Sequence, residues 1–540
     1  MMPFPLALPC VLERARQLFA RQEIVSRRPD RTFVRYTYAD FCRRSRALAE
    51  QLQRAGLQRG DRVATLMWNH APHLECYFGV PCAGGVAHTL NLRLHPNEIA
   101  YIANHAGDRF LVVDDVLLPL FEKFRDQVKF QRVLVHSFSG APVPAGYENY
   151  EDFLAGASGN FSYPEFDENE AAAMCYTSGT TGNPKGVLYS HRSIVLHAFA
   201  LSLTDSMGIG HNEVVLPLQS MFHAAAWGYP YAAVMMGSKL VFPGPHLDAA
   251  SVLELLTNER VTVTGGVPTV WIGVLEAMEK NPGRWKFAPG LRTIIAGSAP
   301  PESMMRRLAR HGIQPRHLWG MTETSPLATI CYPKNHFCDW NEDQIAQLRT
   351  KQGLPLPFVE IRAVDDDNKI VPTDGVTMGE LEVRGPWVAG SYFNSPQDQH
   401  RWTADGWYKT GDIATIDDEG YLQVTDRAKD LIKSGGEWIS SVDVENALVA
   451  HPAVREAAVI AVPHPKWAER PIAVVVKRDG VAIGEADLRD FLLQHFSKWQ
   501  VPDAFVFVDE LPHTSTGKML KYELRKRYRD WDWSKAVASD

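Results

Sequence analysis

The chain has 540 residues and a mass of 60.5 kDa, which is long for one hydrophobic core and implies at least two domains. With 45% hydrophobic and 22% charged residues it has the composition of a soluble globular protein. Its 56 Lys and Arg against 63 Asp and Glu give a formal charge of −7, which argues against a broadly basic surface for nucleic acid or anionic lipid. A small anion remains possible, because a pocket needs only a few well-placed cations.

The 7 cysteines (Cys10, Cys42, Cys76, Cys82, Cys175, Cys331, Cys338) are odd in number and scattered without a CxxC pair, so reduced thiols in a cytoplasmic protein are expected. Met1 to Cys10 is apolar but short and proline-broken, which makes a poor signal peptide. No apolar run is long enough to suggest an integral membrane segment.

In chain order, Thr37 to Asp40 has the form of a helix capping box, followed by Phe41, Leu48 and Leu52 at helical spacing. Gly56 and Gly60 should close that helix before a strand from Arg62 to Met67. Phe110–Val113 and Arg132–Val135 suit buried strands. Val261 onward reads as strand, turn and proline-led helix, and Leu291 to Pro300 repeats the pattern. Strands alternating with helices predict an α/β architecture, with ligands at the carboxyl ends of the strands. The last hundred or so residues differ. Val459–Val462, Ile472–Val476 and Ala504–Val508 look like short strands, and Ala486–Phe496 and Tyr522–Tyr528 look helical. The expected boundary is Asp426, giving a large domain over 1–425 and a small α+β domain over 426–540.

The most informative stretch is YTSGTTGNPKG at 176–186. Small residues let backbone N–H groups approach an anion, Thr177, Ser178, Thr180 and Thr181 add hydroxyl donors, and Lys185 adds charge. It is not a Walker A loop: Gly179 and Gly182 are too close together, and Lys185 precedes glycine rather than Ser or Thr. Further downstream come WGMTE at 319–323, YKTGD at 408–412, DRAKDLIKSGGE at 426–437 and TSTGK at 514–518.

These five strings, in this order, resemble the signatures of the adenylate-forming superfamily: acyl- and aryl-CoA synthetases, luciferases and peptide-synthetase adenylation domains. The resemblance implies a large α/β N-terminal domain, a mobile C-terminal domain, and activation of a carboxylic acid by ATP as an acyl-adenylate. It assigns ATP contacts to Thr177, Ser178, Gly179, Thr180, Thr181, Lys185, Gly297, Ser298, Ala299, Trp319, Gly320, Met321, Thr322, Asp412 and Arg427. Magnesium would be held by Thr177 and Glu323, ribose by Asp412, and Lys518 would bridge the attacking carboxylate and the phosphates. Asp426 matches the hinge, and Lys433, Ser434, Gly435, Gly436 and Trp438 would line the path for CoA. Trp319 replaces the more usual tyrosine, and either ring can stack on adenine.

Each assignment makes chemical sense. Attack of a carboxylate on the α-phosphate joins two anions, so the protein must neutralise and position charge rather than supply a nucleophile. Magnesium takes hard oxygen ligands, often only one or two from protein. Lysine on a mobile domain can arrive for the first step and withdraw before the second.

On the acyl side, a histidine among apolar residues such as His223 is by itself more often a satisfied core group. The superfamily, however, places an aromatic–histidine pair here, beside the reacting carboxylate. Trp227 matches the gating indole of long-chain synthetases, against a plain core role, and Gly297 borders the same pocket. No Arg or Lys is evident near Met221 to Trp227, which disfavours a dicarboxylic acid.

The expected function is an AMP-forming acyl-CoA synthetase for a medium- to long-chain fatty acid, with ATP, Mg²⁺ and CoA, no nucleic-acid partner, and homodimerisation by analogy. A 3-methylmercaptopropionate–CoA ligase and an aromatic acid–CoA ligase are the alternatives within the class. A luciferase-like oxygenase and a non-catalytic acyl-nucleotide binder lie outside it.

Overall fold

The computed structural model describes residues 1–177, 183–297, 299–427, 430–434, 437–478, 480–513 and 519–533, without the side chains of Lys433, Glu437, Trp438 and Ala468. Ser178, Gly179, Thr180, Thr181, Ser298, Gly435, Gly436 and Lys518 lie outside the described residues, as do the side chains of Lys433 and Trp438.

The expected alternation of strands and helices builds two large sheets. The first has seven strands in the order Glu148–Asn149, Arg132–His136, Asp108–Asp114, Arg62–Leu66, Val86–Thr89, Ala171–Tyr176 and Gly186–Ser190. All its neighbours are parallel except the last pair, which forms an antiparallel hairpin. The helix Ala71–Cys82 packs on this sheet and the helix Tyr38–Arg54 packs on that helix, begun by the anticipated capping box: Asp40 N–H donates to Thr37 Oγ1 and Thr37 N–H to Asp40 Oδ2, both at 3.2 Å. Such a cap stabilises a helix start by about 1 kcal/mol. Phe41, Leu48 and Leu52 are buried, as their spacing requires.

The second sheet has nine strands, and its centre runs parallel through Gln314–Gly320, Arg292–Ile295, Val263–Gly266, Val214–Pro217, Lys239–Phe242 and Glu23–Arg27. Antiparallel strands close both edges. Four consecutive carboxyl ends open on one cavity. Leu218, Val267, Ala296 and Met321, each just beyond a strand, all line it.

A third, antiparallel sheet follows: Glu360–Val364, Gly379–Arg384, Tyr408–Ile416 and Leu422–Arg427. Asp426 is the penultimate residue of the last of these strands, paired with Ile413. Beyond it the chain builds the small unit, with Val454–His464 against Ala468–Lys477, and Ala504–Phe507 added in parallel. Separate hydrophobic clusters cover its two faces. Arg478 of this unit reaches Glu276 on the helix Pro268–Lys280 of the large one, at 3.2 Å. Among the described residues no helix is long and apolar enough to cross a membrane.

Candidate active site

The cavity at the carboxyl edge of the second sheet has a volume of about 480 Å³. One side is polar, formed by Thr177, Lys185, Glu323, Tyr392, Tyr408 and Arg427; the other is apolar, formed by Leu218, Ala224, Trp227, Leu247, Val267 and Val270. Of the residues singled out from the sequence, Thr177, Lys185, His223, Trp227, Gly297, Gly320, Met321, Thr322, Glu323 and Arg427 all line it.

Thr177 and Lys185 close the base of the antiparallel hairpin. Thr177 N–H donates to Lys185 O at 2.9 Å, and Lys185 N–H to Thr177 Oγ1 at 3.1 Å. The glycine- and threonine-rich loop thus springs from two paired strands, unlike the strand-to-helix turn of a Walker A motif. The Lys185 ammonium forms an ion pair with Asp398 and lies 4.9 Å from the centre of the Tyr392 ring. Ser395 Oγ–H donates to the other Asp398 oxygen at 2.6 Å.

Glu323 follows the strand Gln314–Gly320 in a short 3₁₀ turn, Thr322–Thr324, fixed by Tyr189 O–H donating to Thr322 O at 2.8 Å. Gly320 is obligatory here, because a Cβ would stand 2.0 Å from Pro326 O. The buried Glu323 Oε1 accepts from Tyr392 O–H and, at 3.1 Å, from Tyr408 O–H. Burial, and then the charge of Glu323, push both phenols upward, so each keeps its proton at neutral pH. No described residue donates to Oε2, which leaves a hard oxygen facing the cavity wall: the donor chemistry that Mg²⁺ takes.

Trp319 and Asp412 do not line the cavity but bond to each other behind it. The indole N–H donates to Asp412 Oδ2 at 2.7 Å, and Arg427 Nε lies 3.1 Å from Oδ1. The pairing follows from register, since Asp412 and Arg427 face each other on adjacent strands. Asp412 is buried whereas the Arg427 side chain is 41% exposed, so the arginine is the partner a ligand can displace. Ala299 is also off the cavity wall. Ser434, expected on the CoA path, is buried and accepts from Arg470 Nη1 at 3.0 Å.

At the apolar end the backbone is unusual. Ala224, Ala225, Ala226 and Trp227 have φ of 36°, 44°, 52° and 54°, and Gly228 follows at 77°, a left-handed turn in which side chains cost about 1–2 kcal/mol each. It is held by Ala225 N–H donating to Cys175 Sγ at 3.2 Å and by Gln219 Nε2–H donating to Ala226 O at 2.9 Å. His223 caps the turn's start, and Ala226 N–H donates to its carbonyl at 2.9 Å.

Sequence reasoning missed Asp398, Tyr392, Arg401 and Arg93, which all meet the site. Arg401 lines the cavity beside Gly411, and Arg93 lines it too, so the cavity does contain cations that the sequence around Met221 to Trp227 does not show. All four stand in irregular segments or short 3₁₀ turns far from the recognisable strings. A group of three possible metal ligands, His70, Asp114 and His136, lies elsewhere. His70 Nδ1 accepts from the His73 N–H at 3.3 Å and Nε2 donates to Asp114 at 2.9 Å, so that imidazole has no lone pair left for an ion.

Comparison with known proteins agrees with this geometry. The AMP-binding enzyme family model matches residues 15–393, and the AMP-binding enzyme C-terminal domain model matches 443–518. The chain belongs to the AMP-binding enzyme family. It is 48% identical over 522 residues to a long-chain-fatty-acid–CoA ligase of Thermus thermophilus, covering 96% of this chain and 95% of that one. It is 44% identical over 536 residues to a 3-methylmercaptopropionyl-CoA ligase of Ruegeria lacuscaerulensis, covering 98% of each. Among solved structures, ATP-bound MatB from Rhodopseudomonas palustris superposes with a TM-score of 0.81 at 27% identity, covering 98% of this chain and 99% of that one.

Proposed function

We propose that the protein is an AMP-forming acyl-CoA synthetase acting on a fatty or similarly apolar carboxylic acid. The observation that carries this reading is one cavity with two ends: Lys185 and Glu323 at one, and Trp227 with Leu218, Leu247, Val267 and Val270 at the other. An acid with an apolar tail fits the second end and presents its carboxylate near His223 to an α-phosphate held at the first. Lys185 neutralises phosphate charge once it leaves Asp398. Glu323 and Thr177 would hold Mg²⁺, which would add charge neutralisation on the phosphates. Displacement of Arg427 frees Asp412 for the ribose hydroxyls, with Trp319 holding its carboxylate in place. Lys518 enters from the small domain for adenylation, and the boundary at Asp426 serves as the hinge on which it withdraws before the CoA thiol attacks.

Cytoplasmic location fits the absence of a spanning helix among the described residues, and homodimerisation rests on analogy alone. The sulfur-containing short acid of the Ruegeria ligase stays as the alternative, because the chain is 44% identical to that protein over 536 residues. A pyrophosphate-release panel over short, medium, long, aromatic and sulfur-containing acids, with and without CoA, tests the proposal. CoA-dependent turnover with an aliphatic acid is expected, and adenylation without thioester formation would reject it.

A further inference from the structure

The 3₁₀ turn Pro396–Arg401 ends on a cation with no acid opposite it. Lys185 and Arg427, at the polar end of the cavity, each face one: Asp398 and Asp412. Arg401 lines the same cavity, yet among the described residues it forms no ion pair and donates no side-chain hydrogen bond. A guanidinium always carries its charge, and one left uncompensated on a cavity wall attracts an anion.

The place of that guanidinium is fixed from two sides. A Cβ on Gly411 would stand 3.4 Å from Arg401 Nη1, so the group lies against the residue that precedes Asp412. Its charge also reaches the phenols of Tyr392 and Tyr408, where it works against the upward push of burial and of Glu323. Both phenols donate to Glu323. Arg401 therefore borders the carboxylate proposed for ribose and the one proposed for Mg²⁺, and a nucleotide that spans these two lays its first phosphate beside it. The backbone beneath is anchored. Trp402 pairs with Tyr408 in an antiparallel bridge, its backbone N–H donates to Gln399 O at 3.0 Å, and its indole N–H donates to Ala389 O at 2.7 Å. Its ring packs on Tyr392 and Tyr408, with centroids 5.2 and 5.0 Å away. A donor held in this way needs little reorganisation as charge develops.

We propose that Arg401 is a further catalytic residue, which binds the α-phosphate of the nucleotide and stabilises the charge on its oxygens during adenylation. In that step a carboxylate oxygen of the acid bonds to the α-phosphorus. The bond from that phosphorus to the bridging oxygen breaks, and its electron pair leaves with pyrophosphate. The planar guanidinium can donate to two phosphate oxygens at once. This role rests on the ligase reading above and adds a contact that none of the five sequence strings contains.

The experiment compares Arg401→Gln and Arg401→Lys with wild type, by calorimetric titration with adenosine, AMP and ATP and by pyrophosphate release. Loss of a charge-assisted hydrogen bond costs about tenfold or more, so Arg401→Gln should weaken AMP and ATP by at least about tenfold and leave adenosine within about twofold. Adenylation kcat should fall about 100-fold, the scale of a removed oxyanion donor, while the KM for the acid stays within about twofold. Arg401→Lys keeps the charge without the fork and should recover part of both losses. Weakening of ATP alone would move the contact to the outer phosphates and overturn the proposal. Equal weakening of adenosine, or an unchanged AMP affinity, would overturn it as well. If Arg401→Gln does not fold, Arg401→Lys decides alone, by a weakened AMP against an unchanged adenosine. A wild type that binds ATP but releases no pyrophosphate with any acid, while Arg401→Gln still loses AMP, would overturn the ligase reading and leave the phosphate contact standing.

Discussion

Lys185, which lines the cavity, and Asp398, 213 residues away in the chain, form an ion pair. The lysine proposed to neutralise the phosphates is thus already paired with an acid. Exchange of one anion for another would keep the partly exposed ammonium paired before and after ATP arrives.

Removing that competitor should favour nucleotide. Asp398→Asn is expected to lower the KM for ATP about three- to tenfold, the range of a partly exposed ion pair of about 1 kcal/mol. Lys185→Ala should instead slow adenylation by about 100-fold, as removal of a charge that stabilises the transition state does. Initial rates against ATP concentration separate the two, and an unchanged KM in Asp398→Asn would show that the pair does not compete.

The tyrosines behind Glu323 orient its carboxylate. Tyr392→Phe and Tyr408→Phe should each raise the Mg²⁺ concentration needed for half-maximal adenylation and lower the rate about tenfold, the usual scale for losing a partner of a metal-binding group. Glu323→Gln should lose more than either. A magnesium titration of pyrophosphate release checks this, and a Tyr392→Phe curve superposing on wild type would rule it out.

Lys518→Ala should abolish adenylation while leaving ATP binding intact, measured by calorimetry beside pyrophosphate release. Asp426→Pro should slow thioester formation more than adenylation. Wild-type rates in both steps would remove the hinge from Asp426.

Trp227→Ala enlarges the apolar end of the cavity and should shift the preferred acid toward longer or bulkier tails. A complementary change is Ala226→Gly, which removes about 1 kcal/mol of left-handed strain and should raise Tm while blurring chain-length preference. An acid panel that ranks identically in both variants and wild type would return this turn to a purely structural role.

Acid should destabilise the fold through its buried histidines. Burial lowers His70, His73 and His197 to about 3 and His136, His191 and His317 to about 4. His191 Nδ1 and His197 Nε2 each accept a backbone N–H, from Leu8 and Leu327, both at 3.2 Å, and protonation would end both bonds. The unfolded chain, titrating near 6.5, takes up protons first as pH falls, so this stability is complete above about 6.5 and is lost toward pH 3 to 4. Tm should therefore drop steeply between about pH 6 and 4.5; a flat profile there would contradict the assignment of these rings as neutral.

Much of this was readable from residue order. The capping box at Thr37 and Asp40, the strand–turn–proline–helix repeats, and the motif residues Thr177, Lys185 and Glu323 all signal themselves through local pattern. Tyr392, Asp398 and Arg401 do not, because irregular segments carry no period and their roles arise only when the third sheet lies against the cavity. Trp319 and Asp412 were visible as separate motif members, but not as a bonded pair, since 93 positions separate them and only the fold sets that distance. The left-handed turn at Ala224 to Trp227 was the least legible feature. Three alanines look permissive, and it is their tertiary clamps, Cys175 and Gln219, that force the handedness.

The strand Leu422–Arg427 has a further consequence. Its last two residues serve different masters: Arg427 faces Asp412 beside the cavity, while Asp426 faces Ser441 in the small unit. Successive side chains on a strand point to opposite faces, so this division is fixed by parity. Deleting a single residue upstream, for instance Gln423, would put Arg427 in the place of Asp426, turning a guanidinium toward Ser441 and taking it away from Asp412. Length in this strand is therefore constrained more tightly than identity, and indels there should be far less tolerated than point changes.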